Sequence, residues 1–122
     1  MRNEPEPAFS MPGGEICGRA PSRPVDLVHL ARQTMDDRDL EREVLDLFVQ
    51  QALSVRDKIA DAGDKDRLML AHGLKGSARG VGAFAVADCA AEIERQPGDA
   101  RAVKRLGVLI EEVRDFIASI SR

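Results

Sequence analysis

From position 25 onward, apolar residues recur at spacings of three and four, which is the period of a helix with one buried face. Leu27, Val28, Leu30 and Ala31 predict a first helix over about 25–35, and Pro24 is well placed to begin it. The Asp36-Asp37 pair ends that helix and can cap the next, predicted over about 39–62 with Leu40, Val44, Leu47, Phe48, Val55 and Ile59 inward. Gly63 is read as its stop and Asp64 as the cap of a third helix over about 65–79. Gly80 and Gly82 then connect to a fourth over about 83–95, which Pro97-Gly98 terminates. Asp99 caps a long last helix on which Val103, Leu106, Ile110, Val113, Ile117 and Ile120 trace a bundle seam. Short connections favour antiparallel neighbours. The fold predicted is therefore all-α, an up-down-up-down four-helix bundle with a short additional N-terminal helix.

Before position 25 the periodicity is absent. Five of the six prolines, with Gly13, Gly14 and Gly18, fall there, so residues 1–24 are expected to be a disordered tail and 25–122 the helical domain. Composition narrows the core: with no Trp or Tyr and four Phe among 122 residues, it must be aliphatic and alanine-rich, which suits closely packed helices. A net charge of −3, with the signs interspersed, leaves no basic stripe for nucleic acid. No apolar run approaches a membrane span and no secretion signal is evident, so a cytoplasmic protein is expected. Cys17 and Cys89 imply no disulfide framework, and together with His29 and His72 they have no recognised metal-ligand spacing; neither metal nor cofactor is expected. Cys89 reads as a small core residue.

Candidate chemistry concentrates in Ala71-His72-Gly73-Leu74-Lys75-Gly76-Ser77-Ala78. At about 100° per residue, Lys75, Gly76 and Arg79 fall within roughly 60° of His72, whereas Leu70, Leu74, Ser77 and Val81 lie more than about 130° away. Burying the second group turns the imidazole outward, into a shallow, positively charged notch. A neutral imidazole nitrogen is nucleophilic near neutral pH, and nearby cations stabilise the charge on phosphoryl oxygens.

These residues, His72-Gly73-Leu74-Lys75-Gly76-Ser77, followed by Gly82-Ala83 and a small-residue helix ending Ala91-Glu92-Ile93-Glu94, resemble the histidine-containing phosphotransfer (HPt) domain of bacterial two-component phosphorelays. The resemblance covers roughly residues 25–120. Arg79 and Gly80 sit where many members carry other residues. The resemblance implies the same helical bundle and a phosphoryl carrier rather than an independent enzyme. His72 would take a phosphoryl group from a receiver-domain aspartyl phosphate and pass it to another receiver domain. The implied partners are response-regulator receiver domains and the receiver domain of a hybrid histidine kinase, without nucleic acid or membrane, and the protein is expected to be a monomer. The alternative is a non-catalytic helical adaptor on the same bundle whose histidine is idle. A hydrolase using His72 as base would need a paired serine or cysteine nucleophile, and the sequence shows none.

Around the histidine, Lys75 and Arg79 are expected to stabilise phosphoryl oxygens and to meet acidic groups of the partner; the alternative is two solvated helix charges. Leu68 and Met69 lie on the histidine side of the wheel and suit an apolar docking surface, although Leu68 could equally wedge against a neighbouring helix. Gly76 either opens the notch to a partner or packs against a helix. If helices three and four are antiparallel about a turn near 81–82, Glu94 lies about one turn, roughly 4.5 Å, from the level of His72. It could hold one imidazole nitrogen, as members of the family often arrange with Gln or Glu, or be a surface charge at a helix end. Ser77 should bond a backbone carbonyl, and His29, between Val28 and Leu30, should be partly packed.

Overall fold

The computed structural model describes residues 23–121. Residues 1–22, with nearly all of the expected tail and Cys17, lie outside the described residues, as does Arg122. The described residues form five helices and no strand: α1 (Leu27–Gln33), α2 (Arg38–Ile59), α3 (Asp64–Val81), α4 (Phe84–Arg95) and α5 (Ala100–Ile120). None is long and apolar enough to cross a membrane.

Aspartates set three of the helix starts by taking up orphan backbone N–H groups. Asp26 accepts from His29 N, Asp37 from Leu40 N, and Asp99 from Arg101 N and Ala102 N. The expected cap at Asp64 is corrected: Gly63 is the N-cap of α3 and makes no side-chain bond. Asp64 is instead the first helical residue, where its carboxylate faces the positive end of the helix dipole. Gly80 is also not part of a connection, because α3 runs on to Val81. Only Gly82 turns the chain, at φ 89°, with its N–H bonded back to Ala78 O and Arg79 O. That conformation favours glycine, and crowding makes the same demand, since a Cβ there would lie 2.9 Å from Asp26 O. The segment entering α1 is docked on this turn through Asp26 N donating to Gly82 O at 2.9 Å.

α2 packs against α3 and α5, α4 packs against the same two, and α1 lies on α3, which gives the four-helix ring with its short additional helix. The core is aliphatic and rich in alanine, with Phe48 as its one buried aromatic among the described residues. The α5 seam runs through Val103, Leu106, Ile110, Val113 and Ile117 as expected; Ile120 is exposed. On α2 the seam is Leu45, Phe48, Ala52, Val55 and Ile59, while Leu40 and Leu47 face out, Leu47 at 66% exposure. Leu47 sits about 120° round the helix from the centre of that seam, and Leu40 about 100°. Val28, expected inside, is 64% exposed, because α1 buries only Leu30 fully. Cys89 is buried, its Sγ reaches Ala102 O at 3.2 Å, and burial pushes its thiol pKa up.

Candidate functional site

α3 has two unlike faces. Ala71, Leu74, Ala78 and Val81 are buried in the bundle. Opposite them stand His72, whose side chain is 67% exposed, and the exposed Gly73, Gly76, Arg79 and Gly80. A Cβ added at any of these three glycines would meet nothing within 4 Å, so Gly76 leaves open space and does not serve helix packing. One turn before the histidine, Leu68 and Met69 are 41% and 62% exposed. Arg79 has no ion-pair partner among the described residues.

Glu94 reaches across from the last turn of α4. Its Oε2 lies 2.6 Å from His72 Nδ1, and its Oε1 accepts from Lys75 Nζ at 2.5 Å. Neither the Lys75 nor the Glu94 side chain is more than a quarter exposed, so the pair is largely covered while the imidazole beside it stands in solvent. The hydrogen bond from Lys75, and then that from His72, hold the Glu94 carboxyl below the usual carboxylate range. At neutral pH it is therefore ionised and can only accept hydrogen bonds. The neutral imidazole must then carry its proton on Nδ1, and the lone pair is left on Nε2. No hydrogen bond occupies Nε2 among the described residues. Lys75 has three N–H donors, and one is committed to Glu94.

The other residues singled out in the sequence sit apart from this trio. Ser77 Oγ donates to Gly73 O at 3.3 Å, a local bond within α3. His29 is half-buried and packs edge-on against Phe84 with ring centroids 5.1 Å apart. One polar residue near the site had no signal in the periodicity. Arg67 sends its guanidinium to three carbonyls, Ile59 O (2.9 Å), Ala60 O (2.8 Å) and Pro97 O (2.9 Å). Only an inventory of the unpaired carbonyls at the end of α2 and in the α4–α5 loop could have pointed to it.

An exposed imidazole with a defined free nitrogen, an ammonium beside it and no bulk on the following turns is suited to nucleophilic exchange of an anionic group with another macromolecule. Comparison with curated proteins returns no match, and comparison with solved structures returns none either. The profile of the Hpt domain family matches residues 26–121, which takes in all five helices and the whole His72 site. With most of its length matched and the helical bundle in place, the chain belongs to the Hpt domain family, whose members are phosphocarriers of phosphorelays.

Proposed function

We propose that His72 accepts a phosphoryl group at Nε2 from an aspartyl phosphate of one receiver domain and delivers it to the aspartate of another. The observation that carries this reading is the 2.6 Å contact between Glu94 Oε2 and His72 Nδ1, which leaves Nε2 as the nucleophile. In the forward step Nε2 bonds to phosphorus as the bond from phosphorus to the aspartyl oxygen breaks, and the receiver's carboxylate leaves with that electron pair. The Nδ1 proton stays on the ring, held by Glu94, so no separate base is needed. Lys75, with donors to spare, and Arg79, further along the same face, offset the charge on the phosphoryl oxygens. The receiver supplies the aspartate and most of the catalysis. Leu68 and Met69 give the partner an apolar foothold, and Gly76 lets it come close. The expected partners are the receiver domains of response regulators and of a hybrid kinase, met in the cytoplasm by a monomeric carrier.

Incubation with a phosphorylated receiver domain tests this directly. Acid-labile phosphate should appear on the protein and be absent from His72→Gln, while melting of that variant stays within about 0.5 kcal/mol of the parent, as expected for an exposed polar exchange. Phosphate accepted by His72→Gln would remove the site assignment. Gly76→Gln should slow transfer without weakening the fold, because a long side chain fills the open space while raising helix propensity.

A further inference from the structure

The geometry points to Arg67 as a positioning residue for the nucleophile, acting through the end of α4, an inference that rests on the phosphotransfer reading above. Glu94 can orient His72 only if the last turn of α4 stays in place. That turn is the kind of element that frays, since its final carbonyls have no partner within the helix. It is followed directly by Gln96, Pro97 and Gly98, with a non-helical C-cap at Gln96. Pro97, three residues beyond Glu94, is the residue whose carbonyl Arg67 Nη1 holds at 2.9 Å. Arg67 stands on α3, five residues or about 7.5 Å along the axis from His72. The two bonds of Glu94 to His72 and Lys75 join α3 to the last turn of α4, and the bond from Arg67 to Pro97 joins α3 to the loop that follows that turn. Among the described residues no other side-chain hydrogen bond joins α3 to α4 or to the loop that follows it.

The rest of the guanidinium fixes Arg67 itself. Nε on Ile59 O and Nη2 on Ala60 O anchor it to the end of α2, so the position of Pro97 is set against two helices. The planar fork suits this task because its donors diverge in fixed directions; a lysine ammonium could not span the same three carbonyls. A nucleophile that must meet phosphorus in line depends on placement to a fraction of an ångström. Arg67 supplies that placement without touching the reacting atoms.

The test uses the full-length chain with ¹⁵N-labelled histidine. Two-bond ¹⁵N–¹H spectra of the neutral ring report which nitrogen of His72 carries the proton, and phosphoryl acceptance from a phosphorylated receiver is measured alongside. Arg67→Met keeps the aliphatic stem, Arg67→Lys keeps the charge, and Val113→Ala serves as a destabilised control remote from the site, all read well below their melting temperatures. Expected in both Arg67 variants is loss of the Nδ1-protonated form to a mixture of tautomers and acceptance slowed by about tenfold, short of the roughly hundredfold that a full ångström of misplacement can cost. The control should keep the parent tautomer and rate. Adding either Arg67 substitution to Glu94→Ala should slow acceptance no further than Glu94→Ala alone, since Arg67 acts through the Glu94 contact. An unchanged tautomer in folded Arg67→Lys overturns the inference, and that variant decides the matter if Arg67→Met fails to fold. If the parent protein accepts no phosphate, the functional reading fails, and the tautomer spectra still decide the role of Arg67.

Discussion

The two faces of α3 carry opposite designs on one stretch of backbone. On the inner face, Ala71, Leu74 and Ala78 are fully buried and Val81 is 6% exposed, with small and large side chains alternating to fit the neighbouring helices. On the outer face, three glycines within eight positions leave space that no atom fills to 4 Å, although glycine in a helix interior costs about 1 kcal/mol against alanine. A helix selected only for stability would not look like this. The inner face supplies the free energy that lets the outer face stay bare, and His72 stands where the bareness begins. Stability and access are therefore separable in this domain, and substitutions on the two sides should have unlike consequences.

Leu74→Asp should show the largest effect. Leu74 is fully buried, and a carboxylate there either stays charged without a partner or is neutralised by a raised pKa. The expected loss is several kcal/mol, comparable with the total stability of a small domain. Circular dichroism and phosphoryl acceptance should fall together; a variant that melts like the parent would place the core elsewhere.

The contrast extends to a glycine within α3 and the glycine that caps its end. Gly82→Ala should cost about 1–3 kcal/mol, because φ of 89° is unfavourable to a side chain and the new Cβ would press on Asp26 O at 2.9 Å. Gly73→Ala should instead add about 0.5–1 kcal/mol, since its Cβ enters open space in a helix interior. Thermal melts of both variants check the signs. Should Gly73→Ala destabilise, the outer face would be more crowded than its open geometry indicates.

The inner design was largely legible in the sequence and the outer one only in part. Helix order, the stop at Pro97-Gly98 and the caps at Asp37 and Asp99 follow from local chemistry, and the structure has them. Periodicity misjudged Leu40 and Leu47 because α2 offers two apolar rows, and only the packing of α3 and α5 selects the one through Leu45 and Ala52. Asp64 looked like a cap by residue type, but Asp64 is already helical, and the cap position falls one residue earlier, at the extended Gly63. At the site, counting residues across an antiparallel turn brought Glu94 near His72. The sharing of its carboxylate with Lys75 depends on side-chain reach, which spacing does not encode. Arg67 was invisible because its partners are backbone carbonyls from elements 7, 8 and 30 positions away.

The smallest expected effect lies in the bonds of Glu94, and it has a definite sign. Lys75 first and His72 second lower the carboxyl pKa in the folded protein. In the unfolded chain the same carboxyl titrates near its ordinary value of about 4.3. Because the folded value is the lower one, these bonds contribute stability that is fully present above that ordinary value. It is lost as pH falls through the folded pKa, when the carboxylate must be protonated in both states. Glu94 therefore leaves the neutral range flat and steepens the acid limb. His72 and Lys75 share this carboxylate, so the part held by Lys75 is isolated by comparing His72→Gln with His72→Gln/Glu94→Gln. The melting temperature of the first should exceed that of the second at pH 6, and the gap should close as the solution is taken below pH of about 4. A gap that stays constant across that range would mean that Lys75 does not hold Glu94 in solution. The trio would then reduce to a histidine and a carboxylate, and Lys75 would stand free for the phosphoryl group from the outset.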